Sequence, residues 1–321
     1  MIITILKRSL LFLFLLLLPS YLLSQTAHKE QLITIDNPVN KTLITIDLPV
    51  LSNHKKMFLV FYALPNGNST EWTMGKTTRP GDDWHFDIQH IAAQTRYLRK
   101  VMKRTNLVVI YLANYLKSWP AWKRERPDGP AEIKRIVDSI SGAFAYSHPG
   151  IMLNSHSGGG SFIFGYLDAS DRIPPEITRI GFIDSDYGYE DSLHGKKLVD
   201  WLKEPSKPSL YVLAYNDSVV VYNGKPLVSP TGGTWWRSQR MQQRLGADLP
   251  FSKDADTAFI RFHALRNRVA ILLKTNPEGK IYHTEQVARN GFIHTVLGGT
   301  RFEKKAGYTY WGERAYTKFI N

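Results

Sequence analysis

A chain of 321 residues without cysteine has no disulfide framework, no thiol nucleophile and no cysteine-ligated zinc. Forty-one Lys and Arg against 28 Asp and Glu leave a formal charge of +13, an excess that attracts polyanions at long range. An exported basic protein meets acidic polysaccharide, lipid headgroups or cell wall more often than nucleic acid, so no nucleic-acid partner is expected. Lys7 and Arg8 ahead of the apolar run from Leu10 to Leu18 form the n- and h-regions of a secretory signal. Cleavage in the Ser24–Ala27 region divides the chain into a signal over residues 1–25 and one catalytic domain over residues 26–321. About 295 residues suffice for one core held by packing alone. No later segment is long and apolar enough to span a membrane, so the expected location is periplasmic or secreted.

Gln31–Ile35 and Leu43–Asp47 alternate apolar with polar residues, the pattern of antiparallel edge strands. Met57–Ala63 is continuously apolar, as for a strand covered on both faces. Ile88, Ile91, Ala92, Thr95, Leu98 and Met102 recur at helical spacing, with Asp82 or Asp83 as the expected N-cap. A buried strand at Leu107–Tyr111, a helix near residues 131–145 and a strand from Ile151 follow. Arg179–Ile183, Leu210–Ala214 and Val269–Leu273 read as further strands. Such alternation predicts an α/β fold, a mostly parallel central sheet with helices on both faces, whose ligands lie at the carboxyl ends of the strands.

The strand from Ile151 runs into Ser155-His156-Ser157-Gly158-Gly159 and then into a helical pattern with Phe162, Ile163, Tyr166 and Leu167. A serine on a sharp strand-to-helix turn needs small neighbours on both sides, which makes Ser157 the candidate nucleophile. Its hydroxyl needs a histidine base oriented by a carboxylate. Asp217, just after the strand ending at Ala214, and His294, in a glycine-containing loop after the last core strand, follow in the order serine, acid, histidine. Asp186 and Asp184 are rivals for the acid, with Asp186 ahead. His283 is the rival base, but Lys280–Thr284 reads as a strand with a structural histidine. His156 is expected to pack or to shape the pocket. For the oxyanion, the Gly158 amide is joined by one from Asn66, Gly67 or Asn68, since Pro65 has no N–H, and Asn68 is favoured.

On these residues the chain resembles the α/β-hydrolase superfamily over most of residues 57–300. The resemblance implies a serine hydrolase with an acyl-enzyme intermediate. Ser155 stands in place of the common glycine, and Pro65-Asn66-Gly67-Asn68 in place of the usual His-Gly pair, as in a divergent subfamily.

Trp119, Trp122, Trp235, Trp236 and Arg237 occur in two aromatic-basic stretches. Trp235, Trp236 and Arg237 are the substrate-binding candidates: indoles stack on sugar rings, and guanidinium groups grip carboxylates. Helix packing with a solvated basic face is the competing reading. Asp82, Asp83, His85, Asp87 and His90 match no standard zinc spacing, and no phosphate loop or dinucleotide fingerprint is present, so neither metal nor cofactor is expected. The expected activity is carboxylic ester hydrolysis on a small-molecule or polysaccharide ester, anionic by the basic charge. The same triad would serve an amidase or peptidase, and the scaffold alone a binding protein.

Overall fold

The computed structural model describes residues 30–321; the signal expected over residues 1–25 lies outside them. In chain order the strands are β1 (Gln31–Asn37), β2 (Thr42–Leu48), β3 (Lys56–Ala63), β4 (Thr105–Asn114), β5 (Gly150–His156), β6 (Ile177–Ile183) and β7 (Ser209–Tyr215). They continue with β8 (Val221–Tyr222), β9 (Lys225–Pro226), β10 (Ser252–Ala255), β11 (Phe259–Ala264) and β12 (Val269–Lys274). The α-helices are α1 (Thr70–Met74), α2 (Ile91–Val101), α3 (Trp119–Arg124), α4 (Gly129–Ala143), α5 (Gly160–Asp168), α6 (Lys196–Leu202), α7 (Thr234–Gly246), α8 (His283–Ala288) and α9 (Gly291–Leu297).

Ten strands form one sheet in the order β1-β2-β4-β3-β5-β6-β7-β12-β11-β10. The six from β4 to β12 are mutually parallel, and antiparallel pairs close both edges. Alternate residues of the central strands feed two cores. Leu59, Phe61 and Leu153 pack with Ile133 of α4, Phe162 of α5, Trp201 of α6 and Leu245 of α7. Val60, Tyr62 and Met152 pack with Leu98 of α2, Val287 of α8 and Phe292 of α9. Both faces are thus covered, which is why the parallel strands read as unbroken apolar runs. This is an α/β arrangement, a mostly parallel sheet between two helical layers, with Ser157 at the turn between β5 and α5.

Two local expectations change. Asp83 caps the 3₁₀ turn Trp84–Asp87, and α2 begins only at Ile91 after His90 in left-handed backbone. Residues 275–282 are not a strand; they form a loop held by Asn276, whose Nδ2 donates to Asn216 O (3.0 Å) and Lys280 O (2.8 Å). Helix α8 then starts at His283.

Candidate active site

Ser157 has φ +56°, the sparsely populated left-handed region that a non-glycine residue occupies only when its surroundings impose it. Those surroundings are tight. A Cβ on Gly159 would lie 2.2 Å from Ala63 O, and one on Gly160 1.6 Å from Ser185 O. On the other side, Ser155 is tolerated because its hydroxyl pairs with that of Ser185 at 2.7 Å. The serine–glycine composition therefore answers the crowding between β3, β5 and the residues after β6.

The register pairing His156 of β5 with Ile183 of β6 carries Asp184 to the position beside Ser157. Asp184 also has a left-handed backbone, φ +47°, and is fully buried. Its Oδ2 accepts a hydrogen bond from His283 Nδ1, and its Oδ1 accepts one from the Thr234 hydroxyl. The first bond fixes the His283 tautomer, with the proton on Nδ1 and the lone pair on Nε2. The His283 side chain is 26% exposed, enough to meet a substrate. His283 packs against His156, the residue before Ser157: His156 Nε2 donates to the His283 carbonyl at 3.1 Å, and the two rings lie 4.7 Å apart. Burial, reinforced by the neighbouring His283, pushes the His156 pKa well below its usual value, so His156 is neutral. Ser157 Oγ makes no hydrogen bond among the described residues; catalytic hydrogen bonds are often long before substrate arrives.

His294, the base expected from sequence, is elsewhere. It lies within α9, its Nδ1 is 3.0 Å from the Tyr308 hydroxyl, and its ring stacks on Tyr310 and meets Tyr211 edge-on. Tyr211 shares a row of the sheet with Gly181 and Asn154, three residues short of Ser157, or about 10 Å along a strand. Burial lowers the His294 pKa to about 3. The correction follows from α8 and α9: the histidine that opens α8 reaches the carboxyl ends of the strands, and the one inside α9 packs further down.

Asp217, the expected acid, bonds to no histidine. Its Oδ2 accepts the Thr234 amide at 2.8 Å and its Oδ1 the Trp235 amide at 3.4 Å. It thus supplies from another part of the chain the cap that Gly233, at the N-cap of α7, lacks. A Cβ on Gly233 would sit 2.3 Å from both carboxylate oxygens, so glycine admits the cap. Burial and then the Asp184 charge raise the Asp217 pKa to about 6. Asp186, the favoured rival acid, accepts from the Ser238 hydroxyl at 2.8 Å while its Oδ1 is buried without a partner. Burial raises its pKa to about 8. Asp184, Thr234, Asn276 and His283 are thus the residues that sequence order alone undervalued. The signals were the position of Asp184 directly after a strand and the closeness of His283 to the end of β12.

In the Leu64–Thr70 loop, the Gly67 amide donates to Lys117 O at 2.8 Å and the Asn68 amide to Pro65 O at 3.4 Å. Asn66 N–H has no hydrogen-bond partner among the described residues, and the Asn66 side chain lies directly over Gly158, where an added Cβ would fall 2.1 Å from its Oδ1. The free donor beside Gly158 is therefore Asn66, and the expectation of Asn68 fails because that amide is used within its own turn.

Trp119 and Trp122 are fully buried and face no substrate. Trp235 packs against the core, and Arg237 Nη1 donates to Tyr189 O at 2.8 Å. Trp236 is half-buried, with the guanidinium groups of Arg237 and Arg240 at 5.0 and 5.8 Å from its ring. In the acidic-histidine stretch, Asp83 pairs with His85 and Asp87 with His90 and Arg314. No cluster of three or more His, Asp or Glu side chains suited to a metal occurs among the described residues.

No protein-family model and no curated protein matches the chain. Solved structures are similar to it. One is a thermostable esterase, with TM-score 0.47, 13% identity, and coverage of 85% of this chain and 64% of that one. The chain therefore spans less than two thirds of that esterase. Another is an acetyl xylan esterase from Aspergillus awamori, with TM-score 0.41, 11% identity, and coverage of 77% and 93%. A cold-adapted esterase from an Arctic intertidal metagenomic library has TM-score 0.39, 11% identity, and coverage of 83% and 92%.

Proposed function

We propose that the chain is an exported serine hydrolase that cleaves carboxylic esters through an acyl-enzyme on Ser157, with His283 as base and Asp184 as its orienting acid. The reading rests on one observation: a buried Asp184 carboxylate bonded to His283 Nδ1, beside a serine in strained backbone at a strand-to-helix turn. The order serine, acid, histidine is kept. In the first step His283 Nε2 takes the Ser157 Oγ proton as Oγ attacks the ester carbonyl carbon. The resulting oxyanion is held by the amides of Gly158 and Asn66. The C–O bond then breaks, and the proton on Nε2 passes to the departing alcohol oxygen. A water, deprotonated by the same nitrogen, adds to the acyl group and releases the carboxylic acid and free Ser157. An ester asks least of this machinery, because its carbonyl is less resonance-stabilised than an amide's and an alkoxide is a far better leaving group than an amine anion.

Export is supported by Lys7, Arg8 and the apolar run after them. For an anionic glycan ester, the support narrows to Trp236, since Trp235 packs inward, Arg237 already serves Tyr189 and Arg240 pairs with Asp191. Hydrolysis of matched neutral and uronate-bearing acetylated glycans measures that preference.

The decisive experiment is fluorophosphonate labelling of the mature protein, with the modified residue located by mass spectrometry. Label is expected on Ser157, retained in His294→Gln and lost in His283→Gln. Absence of label from folded protein, or its loss in His294→Gln but not His283→Gln, overturns the assignment.

A further inference from the structure

A cavity lies at the end of the sheet opposite Ser157. Its volume is about 560 Å³, within the range of small-molecule sites. Lys56, Thr105, Gly150 and Arg179 line it, and they stand at or near the first residues of β3, β4, β5 and β6. Ser157 follows the last residue of β5, so a strand's length separates the two places.

The lining has a definite chemistry. Lys56, His148 and Arg179 border the cavity together with Met57, Phe58 and Phe302, and no Asp or Glu does. Arg179 is the informative residue. It is only 5% exposed, it cannot shed its charge, and among the described residues no carboxylate lies within ion-pair distance of it. Its Nη2 donates to Gly298 O at 2.6 Å and its Nε to Thr295 O, and its guanidinium sits 4.4 Å from the Tyr211 ring centroid. Neutral carbonyls satisfy its N–H groups but do not offset a buried positive charge. Lys56, at the cavity mouth, forms no ion pair either.

We infer that this cavity binds an amphipathic anion, a carboxylate-type head facing Arg179 and Lys56 and an apolar chain lying against Met57, Phe58 and Phe302. Glu303 acts on Arg179 only through space and forms no ion pair with it, so the head supplies the contacting negative charge, and the chain covers the apolar wall. Such a site is independent of the hydrolytic reading and does not require Ser157.

The test is calorimetric titration of the full chain with octanoate, and with octanol as the uncharged counterpart. Octanoate is expected to bind saturably, and octanol at least about tenfold more weakly. Lys56→Glu, a change at an exposed side chain with no structural partner, is expected to weaken octanoate binding at least about tenfold with the fold intact by circular dichroism. Ser157→Ala is expected to bind octanoate as the parent chain does. Absence of saturable octanoate binding, equal affinity for octanol, equal affinity in Lys56→Glu, or loss of binding in Ser157→Ala would each overturn the inference, the last by placing the anion in the hydrolytic site.

Discussion

Two histidines and three aspartates compete for the same roles, and their hydrogen bonds separate them. His283→Gln is expected to lower kcat for a chromogenic ester by about 10⁴ or more. His294→Gln, a change in a packed aromatic setting, is expected to lower Tm while leaving kcat/KM within about threefold. Parallel melts and initial rates on both variants check the pair. Asp186 carries a pH signature with a definite sign. Its folded pKa, about 8, lies above the ordinary carboxylate value, so between roughly pH 4 and 8 the folded state binds more protons than the unfolded one. Stability from this group therefore falls as pH rises through that window. Asp186→Asn keeps a neutral side chain throughout, and its Tm is expected to fall less than the parent's between pH 5 and 9. Equal slopes in the two melting series would refute the burial argument. The strand-to-helix turn at Ser157 was legible in the sequence because its signal is local: small residues, a strand before and a helix after. Its partners were not, because chain order ranks an acid after β7 and a histidine after β12 without saying which side chain turns inward.

At the level of elements, the sequence pattern located the central strands because each is an apolar run covered on both faces. The final antiparallel pair escaped notice for the converse reason: Ser252–Ala255 is wholly exposed and Phe259–Ala264 mostly half-exposed, so neither is strongly apolar. The start of α7 explains the misplaced acid. Asp217 does stand at the carboxyl end of its strand, as expected, but two helix amides occupy its carboxylate. Asp217→Ala is accordingly expected to cost about 1 kcal/mol of stability, the usual effect of a lost cap, by denaturant unfolding. Asp184→Asn should instead suppress fluorophosphonate labelling with little change in unfolding midpoint. The loop after β3 gives a further expectation. Gly158→Ala pushes the Asn66 side chain away, and kcat is expected to fall about 10²–10³-fold with KM nearly unchanged if the oxyanion sits between these two amides.

Across the whole molecule, parallel strands set two chemically different ends apart. The carboxyl ends gather strained backbone, buried carboxylates and His283; the amino ends gather Lys56 and Arg179, neither in an ion pair, around a cavity. The sequence supported the first through the rule that ligands lie beyond the carboxyl ends. Nothing in it announced the second, because Lys56, His148 and Arg179 are distant along the chain and meet only once the sheet has formed. The net charge of +13 told only that positive charge is plentiful, not where it is left without a partner.

The Thr234 hydroxyl, bonded to Asp184 while the amide of the same residue is bonded to Asp217, ties the first turn of α7 to the acid beneath His283. Residues 221–227 before that turn form a solvent-exposed β8–β9 ribbon. A single cut by a protease in this ribbon would leave the sheet and both cores whole while slackening the tether on Thr234. The proposed hydrolysis is then expected to fade well before the protein melts, so a cut there would sever that activity from stability.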